Sequence, residues 1–401
     1  MSFNLSKISL FLLISLTINA NTLDDASGEK LPQKQIGSLE LKTADTVLSL
    51  GGRIQMDAYY GWPEGSHSAK SIPVTKVAGE NGQLLMNSKE SRIWLKTRTP
   101  SKYGPIRTLI ETDFVGSAGT ETNTNSNNLR VRHAFFQVNN WTIGQTNSAF
   151  NAHVTLDNLN IAINDTLVRQ PLIRYGHDGR VYSYYISFEQ PETTLLDSSG
   201  EIITPKDDVI PDIVLRARYY PKWGEAGISL MLRYITQNHA SLSDGTKLSN
   251  KDSAFGVSAN ISTKVKVYRL NDIRFALHYG EGLGRYLSYG AYADGSIDNK
   301  GNIKLHTSYG GNIGYRHHWS KTLRSTLSFS IAKTDNKLAA ISDLSKLGNV
   351  NKKASSSQIN LLWTPISNSL VGVEYARATR EVESLDSGDI DILLLRFRYD
   401  F

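Results

Sequence analysis

The sequence predicts an all-β fold, a transmembrane antiparallel β-barrel of 16 strands with an inward-folded third extracellular loop. Three observations point there. No apolar segment reaches the about 20 residues that a membrane-spanning helix needs, and the longest candidates past the first residues, such as Ile392 to Leu395, run only a few. Short alternating segments fill the chain instead, and within lipid only helices and closed barrels satisfy their own backbone. Nineteen Tyr, 31 Gly and 11 Pro suit strands, turns and aromatic girdles better than a helical bundle.

Met1 to Lys7 carries one positive charge, Ile8 to Ile18 is a short apolar run, and Asn19-Ala20 offers a small residue for cleavage. Residues 1–20 are therefore expected to be a cleaved secretory signal peptide, 21–46 a short periplasmic extension and 47–401 the barrel. At the other end, Leu393, Leu395, Phe397, Tyr399 and Phe401 share one face of a strand and Leu394, Arg396, Arg398 and Asp400 the other. One wall meets lipid and one meets water. The terminal aromatic residue resembles the signal by which bacterial outer-membrane barrels are inserted, so the expected location is the outer membrane, among its lipid and lipopolysaccharide.

The strands expected in order are Val47 to Tyr60, Ser91 to Thr99, Ile106 to Phe114, Leu129 to Val138, Trp141 to Thr146, Pro171 to Tyr175, Val181 to Phe188 and Ile213 to Tyr220. Ala226 to Ile235, Ser253 to Thr263, Arg269 to Gly280, Ile303 to Arg316, Leu323 to Ala332, Ser356 to Trp363, Leu370 to Ala378 and Ile390 to Phe401 follow. Short turns rich in Pro, Gly, Asn and Asp, such as Pro100 to Pro105, Asn139-Asn140 and Pro221 to Gly224, alternate with long polar loops, among them Gly61 to Glu90, Glu189 to Pro211 and Glu281 to Asn302. Outer-membrane barrels carry short periplasmic turns and long extracellular loops in this way.

Within strands the two parities differ in polarity. Ile303, Leu305, Tyr309, Ile313 and Tyr315 oppose Lys304, His306, Ser308, Asn312 and Arg316; Phe255, Val257, Ala259 and Ile261 oppose Gly256, Ser258 and Asn260. A polar inner face predicts a water-filled lumen rather than a packed core. Two strands break the rule, since His133 falls with Val131 and Phe135, and Gln145 with Trp141 and Ile143. Either these strands face a neighbouring subunit or the parity is off by one.

The inner parity collects Arg53, Arg92, Lys96, Arg98, Arg107, Arg130, Arg132, Arg174, Arg216, Arg218, Arg233, Arg274, Arg316, Arg324, Arg396 and Arg398, against Asp57, Glu111, Asp113, Glu374 and Asp400. A low-dielectric passage lined by one sign concentrates ions of the other, and the guanidinium fork holds a carboxylate with two parallel bonds. The expectation is passive passage of small organic anions, dicarboxylates or aromatic carboxylates. The formal net charge of +6 loses one unit with Lys7, so this preference rests on placement. The other reading of each arginine is a wall residue paired with a carboxylate.

Asn147 to Gln170 is unlike the other loops, carrying Phe150, Val154, Leu156, Leu159, Ile161, Ile163 and Leu167 with no Gly or Pro. It is expected to fold inward and narrow the pore, with Asn158, Asn160, Asn164 and Arg169 toward the solute. The alternative is an outward latch onto a neighbouring subunit.

Ser91 to Thr97 (SRIWLKT), Leu109 to Phe114 (LIETDF), Leu129 to Phe135 (LRVRHAF), Gly144-Gln145-Thr146 and Arg169 to Tyr175 (RQPLIRY) resemble the DcaP-like trimeric outer-membrane porins. Gly51 to Gln55 and Phe401 fit the same pattern, and the second half of the chain agrees mainly in strand rhythm. The resemblance implies a homotrimer of sixteen-stranded barrels passing dicarboxylates without energy input, with Arg53, Arg130, Arg132, Arg169 and Arg174 near the constriction. Together with Lys96, Arg98, Arg216 and Arg396 these form the candidate substrate-binding set. One departure is the segment 21–46, interrupted by Pro32 and Gly37 and too brief for the heptads of a coiled-coil stalk; trimerisation would then rest on the barrel walls.

Other functions find little support. Cysteine is absent, which removes disulfides and thiolate sites. Nine His are scattered, and His317-His318 lack the spacing of a metal site on one face. No Gly-x-Ser-x-Gly elbow occurs; a Ser/His/Asp set assembled from distant strands, as in a barrel lipase or protease, is set aside. No enzyme activity, cofactor or nucleic-acid partner is expected, because the basic residues point into a lumen. The competing reading is a general porin or surface barrel whose extracellular loops bind a partner.

Overall fold

The structure, a computed structural model, describes residues 39–43, 45–62, 72, 82–116, 124–152, 154–160, 165–338, 341 and 344–401. The signal peptide expected at 1–20 lies outside them, as do Ile161, Ile163 and Asn164 of the expected inward loop. The strands are β1 (Leu39–Thr43), β2 (Thr46–Trp62), β3 (Gln83–Asn87), β4 (Arg92–Thr99), β5 (Ile106–Asp113), β6 (Arg130–Val138), β7 (Trp141–Asn147), β8 (Arg169–Asp178), β9 (Tyr182–Glu189), β10 (Leu195–Leu196) and β11 (Ile202–Ile203). They continue with β12 (Asp212–Tyr219), β13 (Gly224–Asn238), β14 (Lys251–Tyr268), β15 (Asn271–Glu281), β16 (Gly295–Ile297), β17 (Ile303–Leu305), β18 (Thr307–His318), β19 (Leu323–Asp335), β20 (Asn351–Trp363), β21 (Ser369–Val382) and β22 (Ser387–Asp400).

Sixteen of these positions close a barrel. β3 and β4 both pair with β2 and make one strand interrupted at residues 88–91. Antiparallel neighbours then follow in chain order, skipping β10, β11, β16 and β17, until β22 returns to β2 from Trp62↔Asp391 to Arg53↔Asp400. At the seam Gly52 and Phe401 exchange both backbone bonds, at 2.8 and 2.9 Å. The Phe401 ring lies where a side chain on Gly52 would stand. β1 folds back on β2 as a hairpin.

Alternation orients the strands. On β22 Leu393, Leu395, Phe397 and Tyr399 are exposed and face lipid, while Leu394 is buried. Trp141, Tyr175, Tyr182, Tyr219, Trp223, Tyr268, Trp319 and Trp363 stand exposed beside the short turns, where an amphipathic ring bridges hydrocarbon and headgroup.

The parity break in β6 has a local cause. A β-bulge opposite Glu111/Thr112 skips Arg132, so Thr112 pairs with Val131 but Glu111 with His133. One extra residue flips everything beyond it to the other face. Val131 stays outward, whereas Arg132 and Phe135 are buried, and the His133 ring meets the buried Thr146 hydroxyl at 2.9 Å. On β7, Gln145 keeps the outer parity, and its amide donates to the Val131 carbonyl at 2.9 Å.

Four expectations are corrected. The stretches 189–211 and 281–302 are not simple polar loops, because β10, β11 and β16 lie in them and form a second, four-stranded sheet with β17. That sheet covers an apolar cluster of Leu195, Ile235, Ala240, Leu242, Leu248, Ile297 and Ile303, so Ile303 and Leu305 belong to this lid and not to the lipid face. Gln83–Asn87, expected inside a loop, extends the β4 strand. The lumen is not evenly polar either. Toward the long-loop side, Leu287, Ala291 and Tyr292 pack on inner-face Ala332, Ala354, Ala376, Ile390 and Ile392, and Ala149, Phe150, Leu283 and Tyr286 pack on Val214 and Met231.

Candidate functional site

The loop between β7 and β8 visits one strand of the inner wall after another. The Ala149 amide donates to Glu189 of β9 at 2.8 Å, and its carbonyl accepts from Ser229 of β13 at 3.0 Å. The Asn151 carbonyl takes a bond from Arg216 of β12. Farther on, the Thr155 carbonyl accepts from Arg274 of β15 at 2.8 Å, and Asp157 pairs with Arg324 of β19 at 2.6 Å and Arg316 of β18 at 3.4 Å. Asn158 donates to Ser328 and Gln358 at 2.9 and 2.6 Å. The amides of Leu159 and Asn160 both donate to Glu374 of β21 at 2.7 Å, and Arg396 of β22 closes the series on the Leu159 carbonyl at 2.8 Å.

These partners match the chemistry of each site. Two amides converging on one carboxylate satisfy it without a cation, and the apolar Leu159 sits among Leu362, Leu370 and Leu394. Burial would raise the Asp157 pKa, but the bond from Arg324 and the charges of Arg324, Arg316 and Arg274 win and hold it down at about 2.

On the wall from β2 to β8 several arginines neighbour one another directly. Arg132 bonds Glu111 at 2.7 Å and Asp113 at 2.8 Å, and Arg130 grips the same Asp113 with two bonds of 3.0 and 2.7 Å. Arg92 reaches Glu90 at 3.4 Å and Glu111 at 3.5 Å, while Arg53 bonds Asp400 at 2.5 Å. Arg92 has Arg132 and Arg53 as charged neighbours; Arg169 has Arg132 and Arg130. Arg53, Arg92, Arg132, Arg130 and Arg169 thus form one continuous arc, in which carboxylates separate like charges that would otherwise repel.

The candidate set divides accordingly. Arg53, Arg130, Arg132 and Arg169 fall in this arc. Arg169 does so from the parity of the exposed Ile173 and Tyr175, at the start of β8. Arg174 lies apart, buried 5.2 Å from the centre of the Tyr185 ring, which Arg218 also approaches at 5.2 Å. Lys96, 5.5 Å over Trp94, and Arg98 continue along β4 toward the short turn at residues 100–105. Arg216 and Arg396 hold the loop, and Arg396 is doubly bonded to Asp57 at 2.6 and 2.8 Å.

Sequence reading left Arg92 out of the candidate set although its parity was visible. It also left out Asp157 and Asp272, which pair with Arg324 and Arg316 (2.5 Å to Asp272). Asp272 shares the inner parity of Arg274 and was legible on that ground, whereas Asp157 lies in the loop and meets Arg324 only in the tertiary structure. Among the described residues no cluster of His, Asp and Glu suits a metal ion.

Comparison with known proteins agrees with this architecture. The model of the DcaP outer membrane protein family matches residues 17–401. The fold is similar to the outer membrane channel DcaP of Acinetobacter baumannii, at 23% identity and a TM-score of 0.74 over 90% of this chain and 99% of that one. It is also similar to OmpT of Vibrio cholerae (8% identity, TM-score 0.57, 90% and 100% covered) and to an anion-selective porin from Comamonas acidovorans (10%, 0.56, 89% and 100%). No curated protein sequence matches the chain. The sixteen-stranded closure and the match over nearly the whole length place this chain in the DcaP outer membrane protein family, and so in the bacterial outer membrane.

Proposed function

We propose that this protein is a passive channel for small organic anions, with dicarboxylates the favoured class, and that the arginine arc is its constriction. The observation that carries this reading is the division of the inner wall. The 148–160 loop takes its bonds from β9 to β22, and the remaining arc from β2 to β8 holds Arg53, Arg92, Arg130, Arg132 and Arg169. Loop on one side and guanidiniums on the other define a narrowed, electropositive passage. Arg92, Arg130 and Arg132 share Glu90, Glu111 and Asp113, and because each guanidinium carries five N–H groups, donors remain for a passing carboxylate. A solute with two carboxylates can engage two neighbouring arginines at once.

We read the assembly as a homotrimer held by the barrel walls, with residues 1–20 removed on export. The trimer form known for OmpT of Vibrio cholerae and the anion-selective Comamonas porin support the class of assembly and of solute. The test is reversal potential in a planar bilayer under a salt gradient, with succinate added. Anion selectivity with succinate slowing the chloride current is expected, and Arg132→Ala should weaken both. An unselective conductance blind to succinate would leave a general pore in its place.

A further inference from the structure

We infer that Tyr289 is a second selectivity element, the tip of an inward flap at residues 283–292 that faces the arginine arc and limits the width of the anions that pass. This rests on the channel reading above and adds to it a filter formed by a different loop.

The flap is fixed at both ends. Leu283 and Tyr286 pack with Phe150, Val214 and Met231, and the Tyr286 hydroxyl donates to Asp212 at 2.8 Å. Leu287, Ala291 and Tyr292 pack on the alanine-rich inner face of β19 to β21, where small side chains leave depth for the flap. Fully buried Arg233 ties the base together, donating to the Gly282 carbonyl and to Asp294, each at 2.6 Å.

Between these anchors the backbone turns through three successive left-handed residues, Ser288, Tyr289 and Gly290, with φ of 51°, 59° and 71°. A non-glycine residue is strained there, and such strain persists only where the surroundings impose it. The Ser288 amide donates to the Asp165 carbonyl of the neighbouring loop at 3.2 Å, and the Gly290 and Ala291 amides close the turn on Leu287 and Ser288. The outcome is specific to one side chain. Tyr286 and Tyr292 are 0% and 2% exposed, whereas Tyr289 is 44% exposed, and the charged groups around its hydroxyl are Asp165, Arg169, Glu90 and Arg132.

A neutral phenol in that position narrows the slot along Arg132 and Arg169 and can donate to a carboxylate that they hold. Slim dicarboxylates pass; broad aromatic ones are held back. The test compares succinate with 2,6-naphthalenedicarboxylate in planar bilayers for the unmodified protein, Tyr289→Gly and Tyr289→Phe. Glycine suits a φ of 59°, so Tyr289→Gly removes the ring without adding strain. It should raise the permeability of the naphthalene anion relative to succinate roughly three-fold or more, because the pore lining sets the sieve. Tyr289→Phe should keep the sieve. Heat-resistant gel migration checks folding, and Tyr289→Asn, which also tolerates the left-handed region, serves should the glycine variant fail. An anion-selective channel whose discrimination by width is unchanged in the ring-less variant overturns this inference and leaves the channel reading intact. Loss of anion selectivity in the unmodified protein overturns the channel reading itself.

Discussion

Leu159 occupies the space in which a side chain on Gly372 would stand. A Cβ at that position would come within 2.9 Å of Leu159 Cδ1 and 2.8 Å of Leu362 Cδ2. Gly314 gives way to Leu156 in the same manner, with 2.7 Å to its Cδ2. The inner wall is therefore recessed where the loop lies. Gly372→Val should push Leu159 off the wall toward the arginine arc, at a cost of about 1–3 kcal/mol for overpacking. The expected result is a lower single-channel conductance together with a lower unfolding temperature; unchanged conductance would mean that the loop tolerates the added volume where it lies.

Asp157 is the electrostatic pin of that loop. Its pKa of about 2 lies below the unfolded value of 3.8 because Arg324 and Arg316 outweigh burial. A carboxylate depressed in this way stabilises the fold above the unfolded value and loses the contribution as pH falls from about 4 through 2, on the order of 2 kcal/mol in total. Conductance should thus be insensitive to this group from pH 7 to 4. Asp157→Asn removes the pin at neutral pH and leaves Arg324 without its 2.6 Å partner. Noisier current with stronger anion preference is expected.

Glu111 and Asp113 set how much of the arc's charge a solute meets. Glu111→Gln keeps the shape but removes a carboxylate that bonds Arg132 at 2.7 Å and lies 3.5 Å from Arg92. Anion over cation permeability should rise, by less than ten-fold because the pore is wet and screened. A shift toward cations in the reversal potential would contradict the arc as the selective surface.

How much of this was legible in the sequence follows the range of each signal. Period-two alternation, as in Leu393 to Phe401, is local, so strands and turns could be placed within a few residues. Facing fails wherever one residue changes the count: His133 on the lipid parity signals a break within Leu129 to Phe135, but its place at Arg132 is set by pairing with Glu111. Loop folds were hidden for a related reason. Ile297 and Ile303 look like ordinary β-formers, and only contact with Leu195 and Ile235 from distant segments makes them a lid core. Apart from Arg169 the arginines were visible by parity, but their division into arc and loop clamps depends on where Asp157 of the loop meets Arg324 and where the loop amides meet Glu374, a tertiary fact.

His306 joins that lid to the barrel, between β17 and β18, and should make the lid acid-sensitive. Its side chain is buried. Burial pushes its pKa down to about 4, only partly offset by the Asp294 charge. A histidine whose folded pKa is depressed is neutral in the fold, while the unfolded chain takes up a proton below about 6.5. Stability is then complete above 6.5, falls between 6.5 and 4, and is flat below, a loss on the order of 3 kcal/mol. The strain should concentrate in the sheet of β10, β11, β16 and β17, which packs beside this residue, and not in the barrel. Hydrogen exchange corrected for intrinsic rate should show the amides of 295–305 opening faster at pH 5 than at pH 7 while those of β20 to β22 do not change. His306→Leu should abolish the difference; acid-sensitive exchange persisting in that variant would assign the effect to another group.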